Sequence, residues 1–410
     1  MLLSRKATQL APRLRRYAAA SHTGDQFNEF RHNLATGEWV VFSSGRRGRP
    51  QQMPAIRPAP PLSSLPAHDA SCPFCRGNEH ETPPATYTRH FEGSDRWRLR
   101  VVPNKFPAVM PASAHLETDD GRLHGSGVSH PAPNLVEANE ARLALESVAA
   151  VGFHEVLIET PEHNLPTALA DVSNVECLVT AMRSRGREMV AADPTLRHIM
   201  YFKNSGPKAG ASLMHPHSQI VALPIVPVEV AQRQRHARQW FLRFQRNVFE
   251  HTLETTMRQR DAAALASESG GGKHRVVFEH DDFVCFVPFA ALSPCTLWIV
   301  PKRPTAHFHL TSDAESDAFA RALHQALRCL HFGLDEPDFN LVIRSAALEA
   351  GAFSVFRPEV FFRWYCVIIP RLGAGSMGGF EFSTGIHSNS SFPEDDAAFL
   401  RSVDPDGAEV

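Results

Sequence analysis

His215-Pro216-His217-Ser218-Gln219, followed by the apolar run Ile220-Val221-Ala222-Leu223-Pro224, is the stretch that decides how this chain is read. Ahead of it stands Lys203-Asn204-Ser205-Gly206-Pro207-Lys208-Ala209-Gly210-Ala211-Ser212, rich in Gly, Ser and Lys. In an extended segment His215, His217 and Gln219 project to the same side. Three polar side chains on one side of an otherwise apolar strand imply a cleft. A neutral imidazole is a good phosphorus nucleophile near pH 7, which makes His217 the candidate nucleophile. The Gln219 amide can donate to a phosphate oxygen as charge develops there. Gly206 and Gly210 permit close backbone approach to a phosphate, and Lys208 and Ser212 can meet one. The run lacks the Gly-Lys-Ser/Thr ending of a P-loop, which argues against an ATPase.

Working outward, the order of elements occurs twice. In the first half, 154–159 alternates like a strand, 171–190 has the apolar spacing of a helix, 198–203 is a strand, and the His-Pro-His segment opens the next. In the second, 295–300 reads as a strand, 313–332 as a helix with Phe319, Leu323, Leu327 and Leu330 on one face, 338–344 as a strand, and 361–370 as the counterpart of 215–224. Between the halves, 232–266 reads as one long helix and 267–272 as a flexible linker. Nearer the start, 30–49 reads as strand, Thr36-Gly37 turn and strand, and 98–102 as a further strand. Residues 51–71 read as a Pro-rich loop and 116–139 as a long surface excursion.

The 410 residues suffice for two substantial domains, and an apolar content of 43% provides a core. Acids and bases nearly cancel, with a formal net charge of −2, so charge does not indicate a nucleic-acid partner. No run of eighteen apolar residues exists, so no membrane span is expected. The seven cysteines are odd in number and mostly isolated, which suits a reducing compartment with one special pair. Residues 1–24 contain Arg5, Lys6, Arg13, Arg15 and Arg16 and no acid. That pattern predicts a transit peptide and a mitochondrial matrix location; a basic tail on a cytoplasmic protein is the alternative.

The special pair is Cys72-Pro73-Phe74-Cys75. Alone it reads as half of a zinc site or as a redox pair. Two further zinc ligands would have to come from elsewhere, and 22 histidines leave the choice open on spacing alone. Arg46-Arg47-Gly48-Arg49-Pro50 reads as a solvated turn or as bidentate donors to phosphate or ribose.

Taken in order, the motifs resemble the galactose-1-phosphate uridylyltransferase family of the histidine-triad superfamily. They are Thr36-Gly37-Glu38-Trp39 with Arg46 and Arg49; Cys72 and Cys75 followed by Gly77-Asn78; Asn104-Lys105-Phe106-Pro107-Ala108; Thr160-Pro161-Glu162-His163; Asn204 through Gln219; and Gly379-Phe380-Glu381. The resemblance implies an α+β fold, two histidine-triad-like halves around antiparallel sheet. The first half would run over 25–228 after the 1–24 segment, and the second over 229–410. It implies ping-pong transfer in which His217 takes the nucleotide from a nucleotide sugar, releases a hexose 1-phosphate, and passes the nucleotide on. It implies one structural Zn2+ on Cys72, Cys75, His163 and His215. Substrate contacts carry over onto Arg46, Arg49, Asn104, Lys105, Asn204, Gly210, Ser212, Gln219 and Glu381. A homodimer with sites shared between chains is implied as well.

The pattern also departs from the family. Where some members hold a second metal, this chain has Arg233, Arg344, Arg363 and Tyr365, and cations do not ligate a divalent metal. No second metal is expected, and Glu359 and Glu381 are candidate partners for the arginines. Phe380 stands where many members have Tyr. The expected reaction is of the UDP-glucose:hexose-1-phosphate uridylyltransferase type, which Pro216 favours. The alternative is an ADP-sugar phosphorylase passing the nucleotide to inorganic phosphate, which Ala209-Gly210-Ala211-Ser212 and Ala222-Leu223-Pro224 resemble. From other classes, a non-catalytic nucleotide-sugar sensor would not need His217, and a thiol-redox protein would not explain the pentapeptide.

Overall fold

The structure, a computed structural model, describes residues 28–43, 60–112, 150–266, 273–348, 357–372 and 378–407. The chain begins with a hairpin of β1 (Asn28–His32) and β2 (Trp39–Ser43), turned at Gly37 with φ 79°. β3 (Tyr87–His90), β4 (Trp97–Pro103) and β5 (Phe153–Ile158) lead to α1 (Val172–Ala192), then β6 (His198–Ser205) and β7 (His217–Leu223). α2 (Val228–Phe244) and α3 (Val248–Ala266) separate this half from β8 (Val276–Glu279), β9 (Phe283–Phe286) and β10 (Leu297–Pro301). α4 (Asp313–Leu334), β11 (Phe339–Arg344), β12 (Tyr365–Pro370), α5 (Gly379–Thr384), β13 (His387–Asn389) and α6 (Pro393–Arg401) complete it.

Ten strands form one antiparallel sheet in the order β3-β4-β5-β7-β6-β11-β12-β10-β9-β8. The order is a mirror image about the β6–β11 pair. β5, α1, β6 and β7 on one side correspond to β10, α4, β11 and β12 on the other. The duplication read from the sequence is thus laid out in space, and the sheet continues across the boundary placed at 228. β13 joins β1 and β2 in a separate three-stranded sheet.

α1 and α4 cover one face of the large sheet. Leu178 and Met182 from α1, and Phe319 and Leu323 from α4, pack there on Tyr201, Ile220, Leu341 and Ile368. α4 starts in a capping box, with Ser312 accepting from the Glu315 amide and Glu315 accepting from the Ser312 amide. On the opposite face, α2 and α3 cover only the second half, where Ala237, Phe249 and Leu253 pack on Trp298, Tyr365 and Val367. Over the first half that face carries a small cluster of Trp97, Val102, Val156 and Ile158 beside Phe74. This face carries the site.

Two expectations change. The helix read over 232–266 is two helices, because Gln245 adopts a left-handed conformation with φ 52°. Asn247 then starts α3 by accepting from the amides of Phe249 and Glu250. The strand read over 361–370 begins only at Tyr365, since Phe361 and Phe362 are drawn off to pack with α3 and Trp364 into the main core.

Candidate active site and metal centre

Cys72 and Cys75 lie in a tight turn whose backbone bonds run from Cys75 N to Cys72 O and from Asn78 N to Cys75 O. Asn78 ties the turn further by donating to the carbonyls of Ala70 and Cys72. Gly77 takes φ 98°, which favours glycine there. His163 follows β5, anchored by its amide on the Ala67 carbonyl. His215 lies just before β7. The four residues are buried, and their ligand atoms lie within 4.8 Å of one another. Among the described residues they are the one group of three or more His, Cys, Asp or Glu so arranged.

The donor set fits a tetrahedral metal. Cys75 Sγ lies 3.4 Å from His163 Nδ1 and 3.7 Å from His215 Nδ1, and Cys72 Sγ lies 3.8 Å from His215 Nδ1. Sulfur and nitrogen ligands at ordinary zinc distances stand roughly 3.5 Å apart across a tetrahedral edge. His215 Nε2 donates to the Thr160 carbonyl at 2.8 Å, which leaves Nδ1 bare for a metal. Burial pushes the Cys72 thiol up to about 11, so thiolate there needs a cation beside it.

The same turn of chain positions His217. Its Nδ1 donates to the His215 carbonyl at 2.8 Å, so Nε2 is the bare nitrogen of the neutral ring. Burial lowers the His217 pKa below its ordinary value, and the Lys203 charge adds to the effect, against the opposing pull of the His215 carbonyl. The edge of the Phe74 ring packs against it at 5.4 Å between centroids. Cross-strand registers place Gln219 opposite Val156 on one side and Phe202 on the other. Asn204, two residues beyond Phe202, shares that face and bonds Asn340 of β11.

Beneath His217, on the helix-covered side, lies a buried ion pair that the motif reading missed. Lys203 Nζ meets Glu159 Oε1 at 2.8 Å, Ser218 Oγ donates to the same oxygen, and Thr167 Oγ1 donates to Oε2 at 2.6 Å. A signal existed. Lys203 alternates with Ile199 and Tyr201 on the core-facing side of β6, and a lysine there needs a partner. His154 was missed as well; its Nε2 lies 2.8 Å from Gln219 Oε1.

The remaining predicted contacts divide. Asn104 lies beside His154, with Nδ2 3.0 Å from its Nε2. Lys105 is exposed and turns away to the Glu81 carbonyl and carboxylate. Gly210 takes φ 85° beside Asn204, and Ser212 is exposed on the same loop. Glu381 lies in α5 beside β13, and among the described residues no hydrogen bond joins its carboxylate to the His217 face. Arg46 and Arg49, the 1–24 segment, the linker at 267–272 and the excursion at 116–139 lie outside the described residues.

The arginines do not pair as expected. Arg344 donates to Tyr365 Oη at 3.2 Å and has Glu38 and Glu229 as its acidic neighbours. Arg233 meets the same two carboxylates, Glu229 at 3.0 Å and Glu38 at 3.8 Å. β11 aims Arg344 at α2, which carries Glu229 and Arg233, rather than at Glu359 or Glu381. Arg363 donates to the Pro301 carbonyl at 2.8 Å, with Glu250 as its nearest acid, and burial pushes it down to about 10.

A mirrored ten-stranded sheet with a bare imidazole nitrogen beside carboxamide donors defines a nucleotidyltransferase of histidine-triad type. Residues 19–227 match the family model for the N-terminal domain of galactose-1-phosphate uridyl transferase. The chain is 31% identical to ADP-glucose phosphorylase of Arabidopsis thaliana over 92% of its length and 94% of that protein. It is 26% identical to galactose-1-phosphate uridylyltransferase of Thermotoga maritima over 72% of its length and 73% of that enzyme. The crystal structure of the Arabidopsis ADP-glucose phosphorylase with bound ADP-glucose superposes with a TM-score of 0.69 at 29% identity, covering 92% of this chain and 99% of the other. The chain belongs to the galactose-1-phosphate uridylyltransferase family, and it is an enzyme.

Proposed function

We propose that this enzyme moves a nucleotidyl group from a nucleotide sugar to a phosphate-bearing acceptor through a covalent intermediate on His217. The observation that carries the reading is the fixed tautomer of His217: Nδ1 is committed to the His215 carbonyl, and Nε2 is left as a lone pair. In the first step His217 Nε2 forms a P–N bond to the α-phosphorus. The bond from that phosphorus to the bridging oxygen breaks, and hexose 1-phosphate leaves. In the second step an acceptor phosphate oxygen attacks the same phosphorus and the P–N bond breaks, restoring the free imidazole. Gln219, with Asn204 and Asn104, donates to the phosphate oxygens as their charge grows. Gly210 gives the loop its close approach, and Ser212 offers a further donor. Zinc on Cys72, Cys75, His163 and His215 would hold the N-terminal turn against the start of β7, a structural role.

An ADP-sugar donor and inorganic phosphate acceptor are supported by the 31% identity to the Arabidopsis phosphorylase along 92% of the chain. The pairing of UDP-glucose with a hexose 1-phosphate has the support of the family description and of the Thermotoga relative. A homodimer is supported by apolar surface on and beside the small sheet, where Phe30, Trp39, Phe380 and Phe382 are exposed. Such a dimer would give Glu381, and Arg46 and Arg49, a role in the partner's site. The test is mass spectrometry after brief exposure to ADP-glucose or to UDP-glucose. An acid-labile adduct on His217 is expected, and its mass names the nucleotide. An adduct on another residue, or none with either donor, overturns the reading.

A further inference from the structure

Asn104, Asn204 and Gln219 on the site face each have the carboxamide oxygen tied by a donor of the protein. The identity of each donor can be worked out from groups whose chemistry is not in question. The Ala108 backbone N–H, which only donates, meets His154 Nδ1 at 3.0 Å. Nδ1 is therefore bare, and in the neutral ring Nε2 carries the hydrogen. The atom of Gln219 facing it at 2.8 Å must then be oxygen. The Gln219 NH2 group is turned the other way. On the neighbouring strands Asn340 is oriented in the same way. Arg371 Nε, which only donates, meets Asn340 Oδ1, and the Ala209 carbonyl, which only accepts, lies 2.8 Å from Asn340 Nδ2. Asn340 is fixed from both ends, so the Asn204 atom that Nδ2 meets at 2.8 Å is oxygen as well. Asn104 Oδ1 accepts from the Phe106 amide at 2.9 Å, which leaves its NH2 beside an already protonated His154 Nε2.

Gln219 and Asn204 are thus set alike, and among the described residues no acceptor is seen for the NH2 group of either. The Asn104 NH2 instead stands 3.0 Å from the protonated His154 Nε2, two donors face to face, so Asn104 is set by neither chain of bonds. A carboxamide left to itself presents oxygen or nitrogen with little preference, and an oxygen turned toward a phosphate repels it. We propose that two hydrogen-bond relays, Ala108 to His154 to Gln219 and Arg371 to Asn340 to Asn204, set these amides with NH2 outward before substrate arrives. His154, Asn340 and Arg371 are then positioning residues for an anionic group, in the manner of preorganised dipoles. The proposal rests on the reading that a phosphate-bearing substrate binds this face.

Asn340→Asp tests it without change of shape. One carboxylate oxygen keeps Arg371; the other now faces Asn204, whose amide must turn its NH2 inward, and the Ala209 carbonyl, which loses its donor, so the variants at 154 are the control free of that change. Losing one such donor is worth about 10²-fold in rate. The single-turnover rate of His217 adduct formation at saturating nucleotide sugar should fall by about that factor, and the Kd for ADP should rise about tenfold. His154→Leu should behave alike, whereas His154→Gln, with an amide N–H near the old Nε2, should recover most of the rate. If Asn340→Asp fails to fold, Arg371→Met releases the same relay at its far end. Variants that lower only the melting temperature, or His154→Gln no better than His154→Leu, would overturn the proposal. The two readings separate cleanly. Wild-type protein that forms no adduct while the relay variants still weaken ADP binding defeats the transfer mechanism and keeps the relays. Adduct formation and ADP affinity both unchanged in the variants defeats the relays and keeps the mechanism.

Discussion

Lys203→Met should be among the most damaging single changes outside the metal site, and the buried pair under His217 gives its size. Lys203 Nζ and Glu159 Oε1 are 2.8 Å apart, with both side chains about 5% exposed or less. At an effective dielectric of 20 their attraction is about 6 kcal/mol, much of it offset by the loss of hydration. Removing the cation leaves a buried carboxylate, and breaking such a pair costs about 3–5 kcal/mol. Ser218 and Thr167 still donate to Glu159, which holds the loss toward the lower figure. Urea unfolding of metal-loaded protein at neutral pH is the assay. The double variant Glu159→Gln/Lys203→Met, with no buried charge, should lie within about 1–2 kcal/mol of wild type. The pH dependence has a definite sign. Burial alone would raise the Glu159 pKa, but Lys203 and the hydroxyl donors outweigh it and hold it below the ordinary 4.5. The contribution is therefore present above that ordinary value and lost as pH falls through the depressed one. The gap between wild type and Lys203→Met should narrow on acidification. A single variant within about 1 kcal/mol of wild type, or a double variant no better than the single, would refute the reasoning.

His217→Ala should fold and keep its metal but form no nucleotidyl adduct, as read by intact-protein mass spectrometry. Cys75→Ser, which removes the thiolate nearest both histidines, should lower zinc from one equivalent per chain and drop the melting temperature by several degrees; elemental analysis with calorimetry checks both. Arg363→Gln should cost about 1–3 kcal/mol by freeing the buried Pro301 carbonyl, with kinetics intact. A rise in acceptor KM at unchanged melting temperature would instead make Arg363 a phosphate contact. Fusing residues 1–25 to a fluorescent reporter should direct it to mitochondria, and a diffuse cytosolic signal would return the segment to a plain basic tail.

What could be read from the sequence followed from periodicity and from strong local chemistry. Alternation set β5, 3.6-residue spacing set α1 and α4, and their repetition in order showed the duplication, while the antiparallel sheet came from the family resemblance. The break at Gln245 was hidden because neither Gln245 nor Arg246 is a residue that ends helices by type. Only Asn247, a good N-cap, marked it, and an asparagine inside a polar helix is common. β8 and β9 were missed because they are four residues each, too short for a period to show. At the site, the spacing of Cys72 and Cys75 marked a pair of ligand type, His163 and His215 entered only through the family resemblance, and nothing in the sequence signalled His154 and Asn340. Their role depends on which atom of a neighbour they face, and that is fixed by cross-strand register between β5 and β7 and between β6 and β11. A register is a property of two strands far apart in sequence, so no window along the chain contains it.

The candidate metal ligands and the proposed nucleophile are linked through one peptide unit. His215 offers Nδ1 to the cluster, and its carbonyl holds the Nδ1 hydrogen of His217. Its own Nε2 is bound to the Thr160 carbonyl, so the ring cannot turn without losing one bond or the other. A metal there would restrain the His215 ring and, through its backbone, the carbonyl that selects the tautomer of His217. Its loss would loosen that carbonyl and with it the hold on the Nδ1 hydrogen of His217. In the mechanism proposed above only one tautomer of that ring attacks phosphorus. A structural metal at this position would therefore be felt in the rate of adduct formation, although no atom of substrate need touch it.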